Sequence, residues 1–222
     1  MRTANTRRRA RLAAAGAMLL VWGLAPTEAR AQGQALTAKL SGRGLMDALA
    51  MGGHVILLRH TATDPFVPDP VVFDIEDCSS QRNLSEQGRH QARQIGRAIE
   101  KLGIVVGQVL SSPYCRCLET GKLAFDKVEK SEALSVTDQL PPDEKDARGA
   151  KIRQLLGTEP APGSNTVLIT HTGNLLYAFG LQSRPEGIAH VFRPSVVGPA
   201  IYVGRVTPEE WAQLAELEAP TP

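Results

Sequence analysis

The chain has 222 residues, 42% hydrophobic and 22% charged, with a formal charge of +2. That is ordinary globular composition and fits one domain. Removing the six arginines and one acid of residues 1–31 from 25 basic and 23 acidic residues leaves 19 and 22, near −3. Such a balance, without basic patches interleaved with aromatics, excludes a nucleic-acid binder.

The first segment reads as an export signal. Arg7-Arg8-Arg9 and Arg11 form a basic start, Leu12 to Ala25 an apolar middle, and Ala29-Arg30-Ala31 a small-x-small end. Cleavage is expected after Ala31, giving a periplasmic or secreted protein with residues 32–222 as its one domain. The apolar middle is too short to span a bilayer comfortably, so no stable membrane insertion is expected after cleavage. An uncleaved interfacial anchor is the alternative. The arginine run is at most a weak twin-arginine signal.

Gly44 to Ala50 is a short helix candidate, broken by Gly52-Gly53 before a strand over His54 to Arg59. Thr61 to Asn83, with Pro65, Pro68 and Pro70, reads as a long functional loop. Ser85 caps a helix whose stripe is Ala92, Ile95, Ile99 and Leu102, with Arg89, Arg93, Arg97 and Lys101 facing water. Gly103 stops it. Strands are expected over Val105 to Ser111 and Ala133 to Val136, and a helix from Pro113 to Phe125. A helix over Asp146 to Leu156 precedes a strand ending at His171. Helix Leu175 to Leu181, a strand over Ala200 to Val206 and a terminal helix from Pro208 complete the chain. The segment carrying Glu186, His190 and Arg193 reads as a solvated loop. The alternation specifies a three-layer α/β/α sandwich around a mostly parallel sheet.

Leu57-Leu58-Arg59-His60 and Leu168-Ile169-Thr170-His171 are apolar runs ending in histidine. Strands buried on both faces of a parallel sheet look like this. Chemistry in open α/β sheets sits just beyond such carboxyl ends. Two histidines and an arginine delivered there suit an anionic group. His54 and His90 read as structural or surface residues. Of Cys78, Cys115 and Cys117, at least one stays free or pairs between chains. No spacing suggests zinc.

Four segments carry a family resemblance: Leu58-Arg59-His60-Thr61, Asn83 to Ala92 (NLSEQGRHQA), Ser111 to Thr120 (SSPYCRCLET) and Thr170 to Asn174 (THTGN). In this order they resemble the histidine phosphatase superfamily, with its phosphoglycerate mutase-like fold. The resemblance implies His60 as a nucleophile forming a phosphohistidine, with Arg59, Arg116 and His171 as further catalytic residues around the phosphoryl oxygens. It implies no cofactor and no metal. Arg82, Asn83 and Thr172 are expected to contact substrate; Arg82 alternatively pairs with Asp74, Glu76 or Asp77. Thr61 stands where the family has glycine and adds bulk beside the nucleophile.

The family's proton donor is often a glutamate after the third strand. Its expected place falls near Pro142, and Asp64, Asp138, Asp143 and Glu144 remain candidates. The implied function is an exported phosphatase acting on a small phosphorylated substrate, phosphosugars included. The alternatives are a phosphohistidine protein phosphatase and a non-catalytic phosphate- or phosphosugar-binding module. A disulfide from Cys78 to Cys117, or less favourably to Cys115, is expected to hold the long loop at the pocket rim.

Overall fold

Why the first strand belongs at the centre of the sheet is visible in its side chains. In β1 (Val55–Arg59) the first four residues are all buried, so both faces must be covered. Ile56 and Leu58 join one core, and Val55 and Leu57 the other. β4 (Asn165–Thr170) divides the same way, Val167 and Ile169 against Leu168. The computed structural model describes residues 36–217. The expected signal segment lies outside them.

Among the described residues six strands form one sheet in the order β3-β2-β4-β1-β5-β6. Here β2 is Val106–Ser111, β3 Glu129–Lys130, β5 Ala189–Arg193 and β6 Ile201–Val206. β3·β2, β2·β4 and β4·β1 are parallel, while β1·β5 and β5·β6 are antiparallel. The sheet is therefore mixed, its parallel half ending where the two histidines stand.

One face is covered by α1 (Gly42–Ala50), α2 (Glu86–Lys101), α3 (Cys115–Phe125) and α6 (Pro208–Leu217), through Leu45, Leu49, Ile95, Ile99, Cys117 and Trp211. The other is covered by α4 (Pro142–Leu156) and α5 (Thr172–Phe179), through Ile152, Leu156, Leu175 and Ala178. This is the expected three-layer sandwich.

Local chemistry sets the boundaries. Ser85 accepts from the Gly88 amide and caps α2. A Cβ on Gly88 would lie 1.9 Å from the Ala62 carbonyl oxygen, so only glycine lets α2 approach the chain leaving β1. α4 starts four residues earlier than expected, because proline is tolerated in a first helical turn. α5 starts at Thr172, three residues early, and ends before Gly180, whose φ of +69° is left-handed.

Two expectations fail. Ala133 to Val136 is not a strand: Glu132–Leu134 forms a 3-10 turn. The Leu134 carbonyl accepts from the Thr170 hydroxyl and the Asn174 amide, which replace ladder partners. The segment read as a solvated loop contains β5, with Ala189, Val191 and Phe192 buried. His190 is buried too, 3% exposed, between the Ser183 hydroxyl (3.3 Å) and the Tyr202 hydroxyl (3.2 Å). A polar residue satisfied inside the core masks the strand pattern.

Candidate functional site

β1 and β4 are adjacent and parallel, so the chain leaves both at the same edge. The His60 amide continues the ladder by donating to the Thr170 carbonyl at 3.0 Å. His60 and His171 then stand with ring centroids 5.4 Å apart. From β2, the Ser112 amide reaches the Ile169 carbonyl and brings the start of α3, with Arg116, to the same edge.

The motif residues around them are spacers with assignable bonds. The Thr120 hydroxyl accepts from the Thr61 amide at 3.2 Å, and the Gln91 side chain from the Ala62 amide at 3.1 Å. Together they fix the chain just after His60. Thr61 is fully buried beside Thr120 rather than at the cavity, so its bulk is absorbed within the core.

A cavity of about 200 Å³ lies here, lined by Arg59, His60, Asp69, Arg82, Arg116, His171 and Thr172, with Phe73, Tyr114 and Asp138 among its other walls. Six of the seven expected site residues meet in it. Asn83 does not line it: its amide donates to the Cys78 and Gln81 carbonyls and shapes the loop instead. Of the four proton-donor candidates only Asp138 lines the cavity. Asp64 caps its own turn by accepting from the Phe66 amide, and Asp143 and Glu144 sit in the first turn of α4.

Each histidine has one tautomer consistent with its neighbours. His60 Nδ1 is 3.0 Å from the Thr61 carbonyl, which can only accept. Nδ1 therefore carries the proton and Nε2 the free lone pair. Burial first, and the Arg116 cation second, hold the pKa of His60 well below 6.5, so the ring is neutral. For His171 the order reverses. Arg116 Nη2, a donor, lies 3.4 Å from Nδ1, and Nε2 donates to the Ser112 hydroxyl at 2.8 Å. Burial and Arg116 again keep the ring neutral. His171 is therefore neutral, and fixed positive charge at the cavity belongs to the arginines.

The arginines carry that charge. Arg59 donates to the Ser183 carbonyl and to Glu186, both at 2.8 Å. Glu186 also accepts from the Thr63 amide at 2.7 Å, so one carboxylate ties the loop's first residues to Arg59. Arg116 is 3% exposed and stacks over the Tyr114 ring at 4.8 Å. Arg82 pairs with none of the three acids expected; it donates to Asp69 and to the Thr63 hydroxyl, both at 2.8 Å. The Nε donors of Arg59, Arg82 and Arg116 are each buried without a hydrogen-bond partner. Orphaned donors cost roughly 1–3 kcal/mol apiece. Arg59, Arg82 and Arg116 thus line one cavity together, a concentration of guanidinium charge suited to an oxyanion.

The disulfide joins Cys78 to Cys115, with Cα atoms 5.6 Å apart, and Cys117 is the free thiol. This reverses the expected preference. Residues two apart on a helix face nearly opposite ways. Cys115 faces the loop, while the Cys117 sulfur points inward, 3.9 Å from the Thr170 carbonyl oxygen. Burial pushes the Cys117 thiol up to about 12, leaving it inert. The Gln81 side chain reinforces the bridge, accepting from the Cys115 amide and donating to the Asp74 and Ile75 carbonyls.

Sequence reasoning missed Asp69, Glu186, Ser112 and the positioning role of Asn174. Asn174 bonds the Leu134 and Ser135 carbonyls and the Thr137 hydroxyl, which sets the strand of chain that presents Asp138. Ser112 and Asn174 lie within recognised motifs and were legible there. Asp69 carries no motif signal beyond its flanking prolines.

Comparisons agree with this geometry. Residues 55–140 match the histidine phosphatase superfamily (branch 1). An 80-residue stretch, 36% of this chain, is 28% identical to the mitochondrial serine/threonine-protein phosphatase Pgam5 of Drosophila grimshawi and covers 25% of that protein. The Drosophila pseudoobscura pseudoobscura counterpart is 29% identical over the same length, also covering 25% of it. The chain thus spans about a quarter of the length of these curated relatives. Phosphoserine phosphatase from Entamoeba histolytica, solved with 3-phosphoglyceric acid, superposes with a TM-score of 0.51 at 13% identity, over 71% of this chain and 98% of that one. That likeness concerns the fold. Residues 55–140 are thus similar to the histidine phosphatase superfamily, and the fold of the described residues is like that of the Entamoeba histolytica phosphatase.

Proposed function

We propose that this protein is an exported phosphatase hydrolysing small phosphate monoesters through a phosphohistidine on His60. The observation that carries the reading is the pairing of a neutral imidazole, its Nε2 lone pair free, with three arginines whose Nε donors have no partner. A phosphoryl group seated among Arg59, Arg82 and Arg116 exposes its phosphorus to His60. Nε2 attacks, the phosphorus–ester oxygen bond breaks, and the leaving oxygen takes a proton from Asp138. Water then attacks the phosphohistidine, giving its proton back to Asp138 and releasing phosphate and neutral His60.

Arginine charge fixed before the reaction stabilises the negative oxygens of the transition state, usually the largest catalytic contribution. Charge neutralisation by three guanidinium groups supports a metal-independent reading. Neutral His171 is placed to take up a proton once a dianion binds beside it, and Thr172 opens α5 at the cavity wall. The phosphatase names of the relatives favour the same chemistry. The basic, apolar, small-residue order of residues 1–31 supports export and a single domain from residue 32.

The test is release of inorganic phosphate from a panel of phosphosugars, phosphoamino acids and p-nitrophenyl phosphate, with and without a metal chelator. Turnover that survives chelation is expected; binding of phosphate without turnover on any ester would overturn the small-ester reading in favour of the protein-phosphatase or binding-module alternatives.

A further inference from the structure

We infer that Gly173 is a positioning residue for proton transfer: its missing side chain leaves the space in which the Asp138 carboxyl stands at the cavity. This rests on the proton-donor role proposed for Asp138 above and goes beyond it to the residue on which that role depends.

α5 begins at the cavity, with Thr172 as its first residue and Gly173 next. Glycine is unfavourable in a helix, because it loses more conformational freedom on folding than any other residue. The backbone at this position does not ask for it, since the φ of Gly173 is not positive. The reason lies across the gap. A Cβ built on Gly173 would stand 2.2 Å from Asp138 Oδ1, 2.7 Å from its Cγ and 2.8 Å from its Oδ2. The three nearest atoms thus all belong to one carboxyl group. Gly173 is buried, and the exposed Asp138 lies against it.

Asn174 fixes the other side of this contact. Its side chain donates to the Leu134 carbonyl at 2.9 Å and the Ser135 carbonyl at 3.0 Å, and accepts from the Thr137 hydroxyl. The Leu140 amide then closes a turn onto the Thr137 carbonyl at 3.1 Å, with Asp138 inside it. Backbone bonds therefore hold the chain around Asp138 against the start of α5. A methyl group at position 173 leaves those bonds intact and takes the space of the carboxyl. Rotation to another Asp138 rotamer relieves the clash at little cost to the fold and turns the carboxyl away. Asp138 and Thr172 line the cavity and Gly173 does not. The substitution thus reaches the reaction through Asp138, without touching the ester.

The consequence is confined to proton transfer. As the phosphorus–oxygen bond breaks, an alkoxide takes its proton from the Asp138 carboxyl, which becomes a carboxylate. A p-nitrophenolate leaves as the anion and needs no proton. Gly173→Ala is therefore expected to act on the poor leaving group and to spare the good one.

The experiment measures hydrolysis of β-glycerophosphate and p-nitrophenyl phosphate by wild type, Gly173→Ala, Asp138→Ala and the double variant. Thermal melts and calorimetric affinity for phenylphosphonate, an inert phosphoryl mimic, accompany it. Gly173→Ala is expected to lower the β-glycerophosphate rate relative to the p-nitrophenyl phosphate rate by at least about tenfold. It should melt no lower than wild type and bind phenylphosphonate within about twofold of it. Where Asp138→Ala has removed the carboxyl, the same substitution should change the ratio of rates by less than about twofold. An unchanged ratio, an equal fall on both esters, or the same effect with and without the carboxyl would overturn the assignment. So would a Gly173→Ala protein that fails to fold, since the methyl group would then meet more than a movable side chain. If Asp138→Ala itself leaves the ratio unchanged, Asp138 is not the donor and both assignments fall. No hydrolysis of either ester by wild type would instead overturn the phosphatase reading beneath them.

Discussion

His60 and His171 stand 5.4 Å apart, centroid to centroid, with their rings tilted by 59°, because the two strands that carry them are hydrogen-bonded neighbours. Their protons sit on opposite ring atoms. His60 is tied down at Nδ1 by the Thr61 carbonyl, and His171 at Nε2 by the Ser112 hydroxyl. One ring is thereby left with a free Nε2, and the other turns Nδ1 toward Arg116.

Arg116 and Arg89 separate site charge from surface charge. Arg116 is buried at the cavity, whereas Arg89 pairs with Glu86 and Glu119 at the edge of α2 and α3. Arg116→Ala is expected to lower kcat/KM by about 100-fold, the cost of losing one preorganised contact to developing charge. Arg89→Ala should leave it within about twofold, because Arg89 and its partners lie outside the cavity lining. Steady-state kinetics on both variants decides; equal losses would contradict the site.

Asp138 is expected to matter in proportion to the difficulty of the leaving group. Asp138→Asn should slow hydrolysis of an alkyl phosphate by about 100-fold, in the range of one general acid, and that of p-nitrophenyl phosphate much less. Rates on the two esters check this. An equal loss on both would remove Asp138 as the proton donor.

The disulfide from Cys78 to Cys115 closes a loop with a sequence separation of 37. Chain entropy alone assigns it about 4 kcal/mol. The Cys78→Ser, Cys115→Ser double variant should melt several degrees lower, because the loop that lines the cavity through Asp69, Pro70 and Phe73 loses its anchor. Thiol titration of unreduced, denatured wild type should find one thiol per chain, that of Cys117.

His190 gives the protein an acid sensitivity that can be tested without substrate. Burial lowers its pKa from 6.5 to about 4. The unfolded chain therefore binds a proton before the folded chain does, and stability falls as pH drops from about 6.5 toward about 4. The depression amounts to roughly 3 kcal/mol across that window. His60 and His171 act in the same direction. Thermal melts should show His190→Gln losing less stability than wild type over that interval; parallel pH profiles would contradict the buried, neutral assignment.

Much of the site was legible because its residues are tied to strand ends. Arg59, His60 and His171 follow apolar runs, and their convergence follows from parallel neighbours in one sheet. The Gly88, Gln91 and Thr120 positions have steric or hydrogen-bonding reasons that a motif records without explaining. What stayed hidden was nonlocal. Asp69 and Arg116 are 47 positions apart. β5 was hidden by His190, whose partners Ser183 and Tyr202 come from outside the strand. The cysteine preference erred because it left out the helical phase that turns Cys115 toward the loop and Cys117 toward the sheet. The 3-10 turn at Glu132–Leu134 depends on Thr170 and Asn174, which no local pattern could announce.

The measurement that tests the central claim most directly is trapping of the covalent intermediate. Wild type mixed briefly with phosphorus-labelled substrate and quenched in alkali should carry label that is stable to base and lost in acid. Peptide mapping should place it on His60, and His60→Ala should carry none and turn over no substrate. Label on another residue, or a His60→Ala variant that keeps most of its activity, would contradict the account.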